Sequence, residues 1–206
     1  VPSPADALRR VVDIVVAALV LTIGLPVIVV VAVVVRLRMG SPVLFRQRRL
    51  GRGGVPFDLL KFRSMHHPAP GKDGPEFDAE RLGRLGRLLR ATSLDELPSF
   101  LNLLRGDITL VGPRPLPAHY WTRYVGAEYR RFEVKPGITG LAQVSGRNTV
   151  DWDERLALDV QYVRERSLWG DLRIVLRTIP VVLGRDGVDH ADGVTMHALP
   201  EHRSPR

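Results

Sequence analysis

The sequence predicts an α+β fold, mostly helical, in which an N-terminal helix-break-helix segment precedes a small domain carrying a β-hairpin. Three observations lead there. A run of 22 uncharged residues, Ile14 to Val35, is interrupted near its middle by Gly24 and Pro26. Two apolar-basic stretches flank the glycine-rich turn Gly51-Arg52-Gly53-Gly54. Further along, apolar residues recur at helical rather than strand spacing.

The uncharged run is long enough, at about 1.5 Å per helical residue, to match the ~30 Å hydrocarbon core of a bilayer. It exceeds the apolar core of a signal peptide, and no small-x-small cleavage site follows it. Pro26 has no amide hydrogen to return to Thr22 and its ring crowds the preceding turn, so with Gly24 beside it a break is expected. Arg9 and Arg10 precede the run and Arg36 and Arg38 follow it. An ordinary spanning helix carries its basic residues mainly on the cytoplasmic side. Basic flanks at both ends favour a re-entrant segment, entering and leaving through one face, over a kinked spanning helix.

After Gly40, the stretches Val43 to Leu50 and Val55 to Met65 read as a hairpin closed by the glycine turn. Its strands carry Arg46, Arg48, Arg49, Lys61 and Arg63. His66 to Phe77 holds three prolines and two glycines without periodicity and reads as a loop. Ala79 to Arg90 predicts one amphipathic helix, with Leu82, Leu85, Leu88 and Leu89 opposite Arg81, Arg84, Arg87 and Arg90. A short helix from Leu97 to Leu104, a strand from Ile108 to Val111 and a helix around Pro117 to Phe132 follow. Lys135 to Gly140 reads as turns. Two more helices are expected over Asp151 to Arg166 and Leu168 to Leu183, the latter with an apolar stripe of Trp169, Leu172, Leu176, Ile179 and Val182 that suits a core or an interfacial contact. These elements divide the chain into an anchor over 1–40, a folded domain over 41–185 and a polar tail over 186–206, expected to fray.

Composition narrows the chemistry. The 206 residues contain no cysteine, which excludes disulfide frameworks, thiolate metal sites and cysteine nucleophiles. A net charge of +8 favours an anionic partner. Nucleic acid is disfavoured because the aromatics that stack on single strands are not interleaved with the basic residues. There is no Walker A or G-x-G-x-x-G pattern, so any nucleotide must be held by another scaffold.

Asp95 and Glu96 are the residues best suited to chemistry. Ser93-x-x-Glu96 also matches a capping box, in which Glu96 would only close a helix. Pro98 weakens that reading, because proline belongs in a first turn and shifts the cap past Ser93. Adjacent carboxylates amid an excess of arginines would stay ionised, as a carboxylate nucleophile or a hard-metal ligand requires. Arg114, between two prolines, and Arg147, after Ser145-Gly146, are stiffly presented guanidinium groups that suit a phosphate or a structural carboxylate equally.

Five blocks carry a resemblance. They are Lys61 to Met65, Thr92 to Pro98, Gly106 to Pro115, Lys135 to Asn148 and Ser167 to Asp171. In this order, and over nearly the whole chain, they resemble the bacterial sugar transferases, or monotopic phosphoglycosyl transferases, in their minimal form. The resemblance implies a membrane-associated catalytic domain over 41–185 at the cytoplasmic face of the bacterial inner membrane. It implies transfer of a sugar 1-phosphate from a UDP-sugar to polyprenyl (undecaprenyl) phosphate through a phosphosugar on Asp95, with release of UMP. It further implies Glu96 as the ligand of a Mg2+ cofactor and Lys61, Arg63, Arg114, Arg147 and Asp171 as substrate-binding positions. The family's membrane break at a proline maps to Pro26. The serine often found before it is Leu25 here, and Thr22 is the nearest hydroxyl that could take its place. The step implied is the first membrane step of surface glycoconjugate assembly.

Overall fold

The computed structural model of the chain describes residues 3–68, 77–146, 151–183 and 199–200. Helix α1 spans Pro4–Ile23 and α2 spans Leu25–Met39, joined at Gly24 with a bend of 63°. Ser3 starts α1 by accepting from the amide of Asp6, which satisfies one of the free donors of the first turn. A Cβ on Gly24 would lie 2.5 Å from the carbonyl oxygen of Val20, so the tight bend requires glycine. Pro26 sits in the first turn of α2, where its missing amide is least costly. The helix-break-helix is therefore present. Among the described residues no single helix is long and apolar enough to cross a membrane, while the bent pair together has the length and composition.

Strands β1 (Leu44–Leu50) and β2 (Pro56–Phe62) form the expected antiparallel hairpin, pairing Leu44 with Phe62 through to Leu50 with Pro56. A short 3-10 turn, Arg52–Gly54, closes it. The expected single helix over 79–90 is instead two, α3 (Asp78–Arg81) and α4 (Arg84–Ala91), because Leu82 turns to an extended conformation before Gly83. Residues 69–76 of the expected loop lie outside the described residues. The helix predicted from Leu97 begins slightly later, as α5 (Ser99–Arg105).

Two further readings are corrected. Pro117 to Phe132 is not one α-helix but two 3-10 segments, Ala118–Arg123 and Gly126–Glu133, separated by extended Tyr124 and Val125 and by Gly126 at φ +52°. The turn-rich Lys135 to Gly140 contains a strand, β4 (Gly137–Thr139), parallel to β3 (Thr109–Val111). Parallel pairing here depends on bare backbones: a Cβ on Gly112 would lie 2.5 Å from the Lys135 carbonyl oxygen, and one on Gly137 2.1 Å from the Gly112 amide. Helices α6 (Leu141–Ser145), α7 (Trp152–Glu165) and α8 (Leu168–Leu183) complete the fold, the last two close to their expected limits.

The core is divided among four clusters, and two of them tie the anchor to the rest. Ala17 of α1 packs with Leu59, Leu103 and Ile108. Val31 and Val35 of α2 pack with Phe62 and Leu89, with Leu94 and Leu97 against them. A third cluster gathers Leu50, Leu116, Tyr120, Tyr124, Phe132 and Leu156 around Leu199. Leu199 is wholly buried, so at this position the expected polar tail returns to the core. The fourth joins Val111, Val134, Tyr162 and Ile174 of α8. The remaining stripe of α8, including Trp169, Leu172, Leu176 and Ile179, is exposed.

Candidate active site

Asp95 and Glu96 lie in the 3-10 turn Leu94–Glu96 between α4 and α5. Ser93 takes a left-handed φ of +55° and makes no side-chain cap, which removes the capping-box reading. The turn is held at both ends: Thr92 Oγ1 donates to the Leu88 carbonyl at 2.7 Å, and Ser99 Oγ donates to the Glu96 carbonyl at 2.6 Å. Leu94 and Leu97 seat it on the α2 cluster, so the dyad rests directly on the anchor.

Lys61 reaches the dyad from β2. Its Nζ lies 2.6 Å from Glu96 Oε1, and Arg114 Nη2 lies 3.6 Å from the same oxygen. The hairpin is aligned for this by fully buried Asn102 of α5. Its side-chain amide donates to the Asp58 carbonyl at 2.8 Å and its Oδ1 accepts from the Leu60 amide at 3.0 Å. An open pocket lined by Arg49, Lys61, Glu96, Ser99 and Arg114, with Leu59, Ile108 and Ile138 as apolar wall, lies alongside.

The two carboxylates are tuned apart. Burial pushes Asp95 up to about 6, the charge of Glu96 adds to the rise, and Lys61, Arg90 and Arg114 only partly oppose it. For Glu96 burial also acts upward, but Lys61 and Arg114 outweigh it and draw the group down to about 2. Glu96 is thus an anchored anion, whereas Asp95 is a poorly stabilised one. Among the described residues no hydrogen-bond donor satisfies the Asp95 carboxylate, and an anion lacking such partners is the more reactive nucleophile.

The other sequence-derived positions divide. Arg63 is buried and points away from the dyad: it donates to the carbonyls of Met39, Gly40 at 2.8 Å and Ser41 at 3.1 Å, and meets His67. It closes the C-terminal end of α2, where free carbonyls attract a cation. Asp171 accepts from Arg9 Nε at 2.6 Å and from the Tyr162 hydroxyl at 2.7 Å, tying α1 to α7 and α8. Arg147 lies outside the described residues. Arg49 and Arg90, not singled out by the sequence, both act electrostatically on the dyad. In the sequence Arg90 belongs to a basic helix face, and its place five residues before Asp95 is the available signal.

The residues present suit a Mg2+ ion. No cluster of three or more acidic or histidine ligands occurs among the described residues. Mg2+ nevertheless binds commonly through one or two carboxylates together with substrate phosphates and water, and Glu96 is held ionised beside Asp95.

A family described as bacterial sugar transferase matches residues 4–185. The chain is 45% identical over 188 residues to an uncharacterized sugar transferase, EpsL, of Bacillus subtilis, covering 91% of this chain and 93% of that protein. It is 44% identical over 191 residues to a UDP-glucose:undecaprenyl-phosphate glucose-1-phosphate transferase of Caulobacter vibrioides, covering 88% of this chain and 72% of that one. It is 40% identical over 197 residues to an undecaprenyl-phosphate galactose phosphotransferase of Salmonella typhimurium, of which it spans 41%.

Proposed function

The chain belongs to the bacterial sugar transferase family, and on that premise we propose that it moves a sugar 1-phosphate from a UDP-sugar to polyprenyl phosphate, with Asp95 as nucleophile. The observation that carries the reading is the split dyad: a buried aspartate with no hydrogen-bond donor among the described residues, next to a glutamate pinned by Lys61 and Arg114.

In the first step an Asp95 oxygen attacks the β-phosphorus of the UDP-sugar. The bond from that phosphorus to the bridging oxygen breaks, and UMP departs with the electron pair. In the second step a phosphate oxygen of the lipid attacks the same phosphorus, and Asp95 leaves as a carboxylate, regenerating the enzyme and giving the polyprenyl diphosphate sugar. Lys61 and Arg114 stand where negative charge gathers on the transferring phosphoryl, and such fixed cations do most of the work in reactions of this kind. Glu96 would hold Mg2+, which when bound would neutralise charge on the diphosphate.

The bent pair α1–α2 supplies the membrane contact in this reading, entering and leaving the inner membrane at its cytoplasmic face. Val11, Ile23, Leu25, Val30 and Leu37 are among its many exposed apolar residues. With Leu94 and Leu97 packed on α2, the dyad then lies at the bilayer surface, within reach of a lipid phosphate and a soluble nucleotide.

UMP release from UDP-glucose and UDP-galactose, measured with and without polyprenyl phosphate, tests the reaction. The lipid-linked product should form only with the lipid, and free sugar phosphate as the main product would reject the transfer. Topology is testable because the chain has no cysteine. Single cysteines at Ala5 and Arg38 should both label from the cytoplasmic side; protection of either one alone rejects re-entry.

A further inference from the structure

Arg114 sits between Pro113 and Pro115, two residues that cannot donate a backbone hydrogen bond. The segment must therefore be held by its carbonyls, and every one of four successive carbonyls is taken. Pro113 accepts from the Gly137 amide at 2.9 Å and Leu116 from the Leu50 amide at 3.2 Å. Between them, Arg114 accepts from Arg131 Nη2 at 2.6 Å, and Pro115 accepts from Arg49 Nη1 at 2.9 Å. Two guanidinium groups thus hold the backbone that presents a third.

The Arg131 side is closed to solvent. Arg131 and Asp159 are each 2% exposed, joined by Nε and Nη2 to one carboxylate oxygen at 3.2 and 2.9 Å, while Nη1 donates to the Tyr124 hydroxyl at 2.8 Å. Burying such a pair is costly, and apolar residues of similar volume often serve stability as well or better. A structural role alone does not account for it. A charge-assisted hydrogen bond to a carbonyl is stiffer and shorter than a neutral one, which suits a backbone that must not drift. Misplacing a phosphate-binding group by an ångström has a large kinetic effect.

We propose that Arg131, oriented by Asp159 and Tyr124, and Arg49 are positioning residues that clamp the main chain of Arg114 so that its guanidinium meets the nucleotide diphosphate. The inference rests on the function proposed above for what Arg114 binds, but the clamp itself can be read without substrate.

The test uses the full chain in nanodiscs, with Arg131→Lys, the charge-free pair Arg131→Met with Asp159→Leu, and Arg49→Gln, each alone and combined with Arg114→Gln. Exchange of the Gly137 and Leu50 amides, which donate to the Pro113 and Leu116 carbonyls on either side of the clamped pair, reports the clamp, and UMP binding by calorimetry reports its consequence. In variants that unfold at the wild-type temperature, exchange should rise, and UMP affinity should fall on the order of tenfold, the size expected for hydrogen bonds to a charged group. In the Arg114→Gln background the same substitutions should weaken UMP binding little further, as coupled sites do. Unchanged exchange, or losses that add fully to that of Arg114→Gln, overturns the clamp. If the Arg131 variants do not fold, the Arg49→Gln arm decides by the same two readings. If the wild type itself does not bind UMP, the proposed function fails while the exchange measurement still judges the clamp.

Discussion

The anchor and the reaction centre each bury an aspartate, and they differ in the hydrogen-bond donors they give it. Asp13, in the middle of α1, is 3% exposed and accepts from Thr109 Oγ1 at 3.1 Å and from the Leu110 amide at 2.8 Å. Asp95 is 7% exposed and has no donor among the described residues, so burial and the charge of Glu96 push it up to about 6. The first is a fastening: it joins α1 to β3, the strand that leads to Arg114. The second is the group that the proposed function uses as its nucleophile. A buried acid given donors by a neighbouring strand fastens the fold, whereas one left without them among the described residues is held at a cost to the fold, as suits the nucleophile proposed above.

Asp95→Asn gives the largest separation of the two. It should lower UMP release on the order of a thousandfold or more, as removal of a covalent nucleophile does, yet raise stability at pH 7. The sign follows from linkage. The folded form keeps its proton up to about 6 against 3.8 for the free group, so this aspartate lowers stability increasingly as pH rises from 3.8 through 6. The neutral isostere escapes that loss, which is at most about 3 kcal/mol for a shift of this size. Thermal unfolding at pH 7 and pH 4.5 checks it, and a destabilised Asp95→Asn at pH 7 breaks the comparison.

Lys61→Met should come next, reducing the rate by about a hundredfold because a fixed cation is lost where charge develops. Arg114→Gln should cost less than Lys61→Met in its hold on Glu96, since its contact is 3.6 Å against 2.6 Å. That ranking is read from the pH at which Glu96 titrates, which should rise more in the lysine variant. Wild-type UMP release should fall about tenfold per pH unit below roughly 6, as Asp95 takes up its proton. A pH profile flat down to 5 would remove Asp95 as the nucleophile.

The smallest effect belongs to the anchor. Asp13→Ala strands the Thr109 hydroxyl and the Leu110 amide, and should lower stability by about 1–3 kcal/mol, the usual range for losing the charged partner of buried donors. Unfolding in nanodiscs measures it. The sharpened form of the comparison is that removing one buried aspartate destabilises and removing the other stabilises.

Legibility followed the range of the interactions concerned. The break at Gly24 and Pro26, the hairpin and α7 were readable because glycine, proline and apolar spacing act over a few residues. The helix expected over 79–90 split at Leu82, which turns extended while the Arg81 carbonyl accepts from the His66 amide at 3.0 Å, a contact between segments distant in sequence. Glycines that looked like turns, Gly112 and Gly137, turned out to be points where two strands touch. Arg63 resembled its neighbour Lys61 in every local respect. Strand alternation would put the two on one face, but Arg63 lies just past the end of β2 and its guanidinium reaches the carbonyls where α2 ends, which no local pattern records.

The sequence by itself determined the apolar bent anchor, the basic character of the domain and the Asp95-Glu96 pair, since each is a property of residues adjacent in the chain. Only the tertiary structure decided what each charge does. Lys61 and Arg114 converge on one glutamate oxygen, Arg63 caps a helix, and Arg131 and Arg49 grip the backbone that carries Arg114. The reason is physical: ionisation and attraction depend on distance and on solvent exclusion, and both are set when segments far apart in the chain pack together.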